Sequence, residues 1–168
     1  MQTRPFRRDR DGVVQVHLEG GEASLLVRLL GEFRHFLDGA PSGDPALERL
    51  FPHAYVDSTE VQAESEWQAL SYPGLLRHRL DALASIEKSI SIRGEGKTVD
   101  TDFTEERAQC WLGVLNDIRL VWGTRLGIDE ETVVENYSEG SPEREAFLIY
   151  AWLTYLQGEL VETLLDLR

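Results

Sequence analysis

The chain has 168 residues, of which 42% are apolar and 28% are charged, a balance typical of one globular domain. Its formal net charge of −13 opposes nonspecific attraction to nucleic acid and to anionic lipid. The one cysteine, Cys110, excludes an intramolecular disulfide and a zinc site built from cysteines. The sequence starts without the apolar region of a signal peptide, and no later apolar run reaches about 18 residues. We therefore expect a cytoplasmic protein without membrane segments.

Residues 1–18 predict a β-hairpin. Asp11-Gly12 is a turn signal, and residues 13–18 are rich in β-branched side chains. Four arginines accompany this hairpin: Arg4, Arg7, Arg8 and Arg10. Such a cluster is typical of a solvated strand edge, and direct DNA binding through it is the alternative.

Apolar spacing predicts a mainly α protein, a single-domain bundle of five or six helices over residues 20–168. The first helix ends near Gly39, and a short second helix begins at the cap Asp44 and Pro45. The cap Asp57-Ser58 opens a third helix. Pro73 predicts a break near residue 72, because proline disfavours helix in the residue before it. A long helix then runs over residues 73–90.

The second half of the chain predicts two further long helices. Residues 93–97 predict a turn, and residues 98–103 predict a short strand. Thr104 caps a central helix that ends near Gly127, and Ser141-Pro142 opens the last helix, which runs almost to Arg168. Residues 16–37 and 101–122 echo each other weakly, each with a strand-like stretch before a long helix. This echo predicts that the two strands lie in one small sheet.

The central helix carries polar residues inside an otherwise apolar run. On a helical wheel Arg119 falls within the apolar face and Asp117 falls off it. A guanidinium keeps its proton, so burial of Arg119 requires a partner from another helix. The candidate partners are Glu60, Glu64 and Glu159. The set predicted to form a structural polar clamp or a partner contact comprises Asn116, Asp117, Arg119, Arg125, Glu60, Glu64 and Glu159.

The sequence shows no pattern typical of catalysis or of metal binding. The four histidines lie one to a segment, and no HExxH, P-loop, GxGxxG or GxSxG motif occurs. We therefore predict no catalytic residue, no cofactor and no metal site, and an uncharacterised enzyme is the second alternative. Cys110 is predicted to be a buried inert thiol or a redox thiol. The tryptophans, predicted to lie in the core, are Trp67, Trp111, Trp122 and Trp152.

The last helix carries more apolar side chains than one groove can cover. A heptad seam is formed by Ala146, Ile149, Leu153, Leu156, Leu160, Thr163 and Leu167. A second apolar set comprises Phe147, Tyr150, Trp152, Tyr155 and Leu164. We expect one set to face the core and the other to be at least partly available, which predicts a homodimer through this C-terminal helix.

Three blocks of the sequence resemble a known family. They are GDPALERLFPHAYVDSTEVQAESEW (43–67), CWLGVLNDIRLVWGTRLGI (110–128) and FLIYAWLTYLQGELVETLL (147–165). They are similar to the signature blocks of an actinobacterial family of unknown function, whose genes often lie beside the gene for the adaptor ClpS. Some members are described as AosR-type oxidative-stress regulators of transcription.

The resemblance implies a mainly helical cytoplasmic protein with a regulatory role and no known catalysis. It favours a non-catalytic regulator that binds protein partners, among them the transcription machinery, with DNA binding as the alternative. Redox sensing in such regulators depends on two cysteines in one chain. Because this chain has only Cys110, an intramolecular disulfide switch cannot operate here. Either the protein senses oxidation by another route, or it forms an intermolecular disulfide, or the sensing role does not carry over to it.

Overall fold

The computed structural model describes residues 4–55, 59–93 and 98–165. Within these ranges, five α-helices and a four-stranded antiparallel sheet make the fold mainly α, as the sequence predicts. The strands are β1 (Phe6–Arg8), β2 (Val14–Leu18), β3 (Ser91–Arg93) and β4 (Thr98–Phe103). The helices are α1 (Gly20–Gly39), α2 (Pro45–Leu50), α3 (Val61–Ser89), α4 (Glu105–Leu126) and α5 (Pro142–Leu164), with a 3-10 turn at Val134–Asn136. The single-domain organisation stays a prediction.

The N-terminal hairpin is half of a larger sheet. The strand order is β1-β2-β4-β3, and every neighbouring pair is antiparallel. Val14 pairs with Phe103 and Leu18 with Val99, which confirms that the two strand–helix units share one sheet. The sequence did not predict β3. The turn predicted at residues 93–97 and the cap predicted at residues 57–58 lie largely or wholly outside the described residues.

One face of the sheet forms part of the hydrophobic core. Alternation along the strands buries Phe6, Val14, Val16, Leu18, Val99 and Phe103. Trp111 of α4, 2% exposed, lies against this face. Its ring stacks on Phe103 at 5.4 Å between centroids and meets Phe6 edge-on at 6.3 Å. The sheet and α4 are therefore joined by aromatic contacts of the favourable geometries.

The break predicted at Pro73 is wrong, because α3 runs through it as one helix of 29 residues. Proline removes one backbone hydrogen bond and crowds the preceding turn. Tyr72, the residue that proline restricts, packs against Phe51 at 4.7 Å between ring centroids. Ala69, whose carbonyl loses its partner, is exposed and can be hydrated. Packing on one side and solvent on the other thus outweigh the local preference.

The two halves of α3 differ in burial. Leu83 and Ile86 of the second half are buried, whereas residues 61–75 include none that is buried. Leu70 is 83% exposed and Trp67 is 46% exposed. The prediction that Trp67 lies in the core is therefore wrong, because the first half of α3 projects beyond the helices that pack on the second half.

The predicted seam of α5 faces the core. Leu153, Leu156 and Leu160 are buried, and Leu167 lies outside the described residues. Of the second apolar set, Tyr155 is 47% exposed, whereas Phe147 packs against Tyr137 and Tyr150. The homodimer predicted through this helix stays a prediction.

Trp111 and Trp67 provide a matched test of this core. Trp111→Ala should lower the free energy of unfolding by about 4 kcal/mol, because it removes a buried ring between two aromatic neighbours. Trp67→Ala should change it by less than about 0.5 kcal/mol at low protein concentration, because the ring is half exposed. Urea titrations followed by circular dichroism measure both. Equal losses would contradict the assigned burial.

Candidate functional site

The polar residues of α4 point to two different neighbours. Asp117 faces α3, where Nε of Arg79 lies 3.0 Å from its Oδ2. The two side chains are only 20% and 13% exposed. The contact is an ion pair rather than a well-aligned hydrogen bond, since Nε of Arg79 has no hydrogen-bond partner within the described residues. The wheel placed Asp117 off the core face. That placement is wrong because α4 is covered on two sides.

Arg79 also contacts the C-terminal end of α2. Its Nη2 donates a hydrogen bond of 3.0 Å to the carbonyl oxygen of Leu50, and its guanidinium carbon lies 4.6 Å from the ring centroid of Phe51. One arginine therefore joins α2, α3 and α4. The sequence analysis missed Arg79, although a signal exists. It occupies a heptad position of the inner stripe of α3, between Leu76 and Leu83.

Burial shapes the chemistry of Asp117. Loss of hydration raises the pKa of its carboxyl, and the positive charge of Arg79 acts in the opposite direction. A buried carboxylate that keeps one cationic partner is sensitive to removal of that partner. The pair has the character of a structural clamp.

Arg119 and Asn116 face α5. Nη2 of Arg119 lies 3.5 Å from Oδ1 of Asn116, and its guanidinium carbon lies 6.0 Å from the ring centroid of Tyr150. Asn116 Oδ1 also accepts a hydrogen bond from Gln157 at 3.4 Å. A Cβ on Gly123 would lie 3.1 Å from the Tyr150 ring, so glycine there permits the ring its position. Nε of Arg119 is buried without a hydrogen-bond partner in the described chain.

The acidic residues considered as partners of Arg119 have different surroundings. Glu64 accepts hydrogen bonds from the backbone N–H groups of Tyr55 at 2.8 Å and Ala54 at 3.0 Å. His53 and Gln68 also lie within hydrogen-bond distance of its carboxylate. These contacts, with the Tyr55 N–H the strongest, lower the pKa of Glu64 to about 2 against the effect of burial.

The remaining predicted residues are dispersed. Glu60 is exposed at the start of α3, and Glu159 is half-buried on α5. Arg125, 57% exposed, lies 3.9 Å from the Asp44 carboxylate and 5.0 Å from the centroid of Phe36. Cys110 is half-buried on α4, rather than fully buried. The roles of Arg119 and Glu159 as partner contacts, and of Cys110 as a redox thiol, stay predictions.

Arg8 differs from the other N-terminal arginines in its contacts. Arg8 pairs with Glu105 at 3.0 Å and donates a hydrogen bond of 3.0 Å to the carbonyl of Leu164. It therefore binds β1 to the start of α4 and the end of α5. Arg4, Arg7 and Arg10 are exposed.

An exposed apolar surface rimmed by carboxylates lies on α5. We define the α5 patch by the exposed Leu148, Ala151 and Tyr155 and by the half-buried Trp152, which also packs against the core. Leu148 is 51% exposed, and Trp152 Nε1 donates a hydrogen bond of 3.2 Å to Glu22. Partial burial raises the pKa of Tyr155. The charges of Glu159 and Glu22 add to this effect, and Arg4 opposes it. The patch thus combines apolar side chains with a largely negative rim.

A groove opens between α2 and the first half of α3. Its volume is about 490 Å³, and its walls include Leu47, Phe51, His53, Gln68 and Tyr72. Among the described residues, no group of three or more His, Cys, Asp and Glu side chains is placed to hold a metal ion. Nor does any helix in the described part of the chain have the length and apolarity to cross a membrane.

Comparison with known proteins identifies the family of the chain. The model of a domain of unknown function, DUF2017, matches residues 3–164. The chain belongs to this family. No solved structure matches it.

Relatives of this DUF2017 chain are named for a stress response. The oxidative stress regulator AosR of Mycobacterium tuberculosis is 30% identical over 137 residues, covering 75% of this chain and 61% of that protein. A Mycobacterium bovis protein of the same name matches equally well. A Mycobacterium leprae relative is 28% identical over 141 residues, covering 73% of this chain and 59% of its own length. The chain therefore spans about three-fifths of these relatives.

The clamp between Arg79 and Asp117 can be tested by removing one partner. Arg79→Met should lower the free energy of unfolding by about 3 kcal/mol, because it leaves the Asp117 carboxylate buried without its cation. Arg77→Met is the control, since Arg77 lies on the same helix and is exposed. It should cost less than about 0.5 kcal/mol. Denaturation by urea at low protein concentration measures both, and a near-neutral Arg79→Met would contradict the clamp.

Glu64 predicts a pH dependence of stability. Its folded pKa of about 2 lies below its ordinary value of 4.5. Its stabilising contribution is therefore complete above pH 4.5 and is lost as the pH falls towards 2. Glu64→Gln should destabilise the protein at neutral pH, and its difference from the unmodified chain should shrink across that window. Thermal unfolding at several pH values measures this, with Glu60→Gln as the exposed control. A difference that is constant with pH would refute the assignment.

Proposed function

We propose that this chain is a non-catalytic, cytoplasmic regulatory protein of the oxidative stress response, which acts on transcription through a protein partner. The observation that carries the proposal is the α5 patch. Leu148 and Tyr155 are about half exposed on one face of α5, and exposed apolar groups of this kind mark interaction surfaces. The names of the DUF2017 relatives support the link to the oxidative stress response.

The charges around the α5 patch favour a basic partner. Glu22 and Glu159 act on the Tyr155 hydroxyl, and the chain as a whole carries −13. A partner segment with apolar side chains and flanking Lys or Arg residues would be complementary both to the apolar patch and to the negative charge around it. Electrostatic complementarity of this kind raises the association rate and selects among partners.

The same charges weigh against direct DNA binding. Arg8 is engaged by Glu105 and by the Leu164 carbonyl, so it is not available to a phosphate without loss of those contacts. Arg4 lies within electrostatic reach of Tyr155 among carboxylates. Of the four N-terminal arginines, Arg7 and Arg10 are left for DNA binding, and two phosphate contacts provide little affinity at physiological salt.

The proposal can be tested in the organism whose genome encodes this chain. Deletion of the gene should alter the transcript response to peroxide, and the unmodified chain should restore it. Tyr155→Glu should fail to restore it, because a new charge would lie in the apolar part of the patch. Leu75→Glu, at an exposed leucine of α3, should restore it fully.

Two companion variants separate the alternatives. Arg7→Ala combined with Arg10→Ala should restore the response. If it does not, and purified protein binds DNA with a steep salt dependence, direct DNA binding replaces the proposal. Cys110→Ser tests whether a thiol that pairs with a second molecule takes part.

A further inference from the structure

The outward face of α3 carries a second exposed surface, separate from the α5 patch. Residues there recur at alternating steps of four and three, the spacing of a coiled-coil seam. We define the α3 stripe by Ala63, Trp67, Leu70, Gly74, Arg77 and Asp81. Leu70 is 83% exposed and Trp67 is 46% exposed. The stripe spans about 27 Å of helix.

Gly74 leaves space on this stripe for a large side chain of a partner helix. Glycine in a helix interior is destabilising relative to alanine. Within the described chain, nothing lies within 4 Å of the position that a Cβ on Gly74 would take. The isolated chain therefore gives no packing reason for glycine, whereas a large side chain from outside would use the space.

The stripe is complementary to itself when two copies of α3 run antiparallel. Its positions are symmetric about Tyr72, so each residue has a counterpart at the same distance on the other side. With Tyr72 of both copies level, Leu70 lies opposite Gly74 of the second copy, which offers the space for a leucine. Trp67 lies opposite Arg77, a pair suited to stacking of a guanidinium on an indole ring.

The charges beside the stripe are complementary in the same arrangement. Glu66 and Arg77 lie on one flank, within about 20° on the helical wheel but about 16 Å apart along the helix. They cannot pair within one chain, and neither makes an ion pair among the described residues. Antiparallel pairing about Tyr72 brings Glu66 to within one residue, about 1.5 Å along the helix axis, of the level of Arg77 of the second copy. The twofold symmetry repeats this pair.

We propose that the α3 stripe binds a second copy of this chain, in an antiparallel homodimer whose twofold axis passes at Tyr72. The dimer stands independently of the proposed function. The α5 patch suits self-association less well, because two copies would bring the carboxylates of Glu22 and Glu159 together.

Sedimentation equilibrium of the full chain tests the dimer. Between about 1 and about 100 μM the mass should rise from monomer towards dimer, with a Kd of about 10 μM, as expected of a small interface. Leu70→Glu should remain monomeric throughout. Leu75→Glu should dimerise normally, because Leu75 is exposed on the same helix but lies about 140° away. Circular dichroism verifies that both variants are folded.

A charge exchange tests the antiparallel register. Glu66→Arg and Arg77→Glu should each weaken association about fivefold, since each removes two symmetric ion pairs. The double variant E66R/R77E should associate more tightly than either single variant, because pairs of reversed sign form again. A chain that is monomeric at all concentrations, a double variant no better than the singles, or dissociation by Tyr155→Glu but not by Leu70→Glu would each overturn the proposal.

Discussion

The ion pair between Arg79 and Asp117 anchors α3 to α4. The buried Leu83 and Ile86, and the ion pair of Glu87 with Arg34 of α1, hold the same half of α3. The pair of Arg79 with Asp117 lies at the middle of α4, and the same arginine covers the Phe51 ring and binds the Leu50 carbonyl. Burial makes the carboxylate dependent on its cation. None of the residues of α3 before Arg79 is buried. The exposed arm of α3 is thus a consequence of where its anchors lie.

Helix α4 serves as the common surface for the other elements. Trp111 meets the sheet, Asp117 meets α3, and Asn116 with Arg119 meets α5. A helix that contacts neighbours on several sides cannot display a single apolar face. Its polar residues therefore lie at the boundaries between neighbours, where each can reach a partner from another helix.

Periodicity and capping allowed most of the elements to be predicted, because they act within a few residues. Ser141 caps α5 and Asp44 caps α2, as local chemistry requires. The predictions that failed concern features that depend on distant parts of the chain. The helix at Pro73 survives through the packing of Tyr72 on Phe51, and the partner of Asp117 comes from another helix. Trp67 is large and apolar, which indicates burial in general but does not show whether a neighbour covers it.

The contacts of Arg8 have a consequence for the order of folding. Its hydrogen bond to the Leu164 carbonyl joins residues separated by 156 positions in sequence. Contacts of such separation carry a high entropy of loop closure, and they form late. During synthesis, β1 emerges from the ribosome before α5 and gains this contact only after α5 has been made. The contact between β1 and the end of α5 is therefore among the last to form, whereas the pairing of β1 with β2 is local.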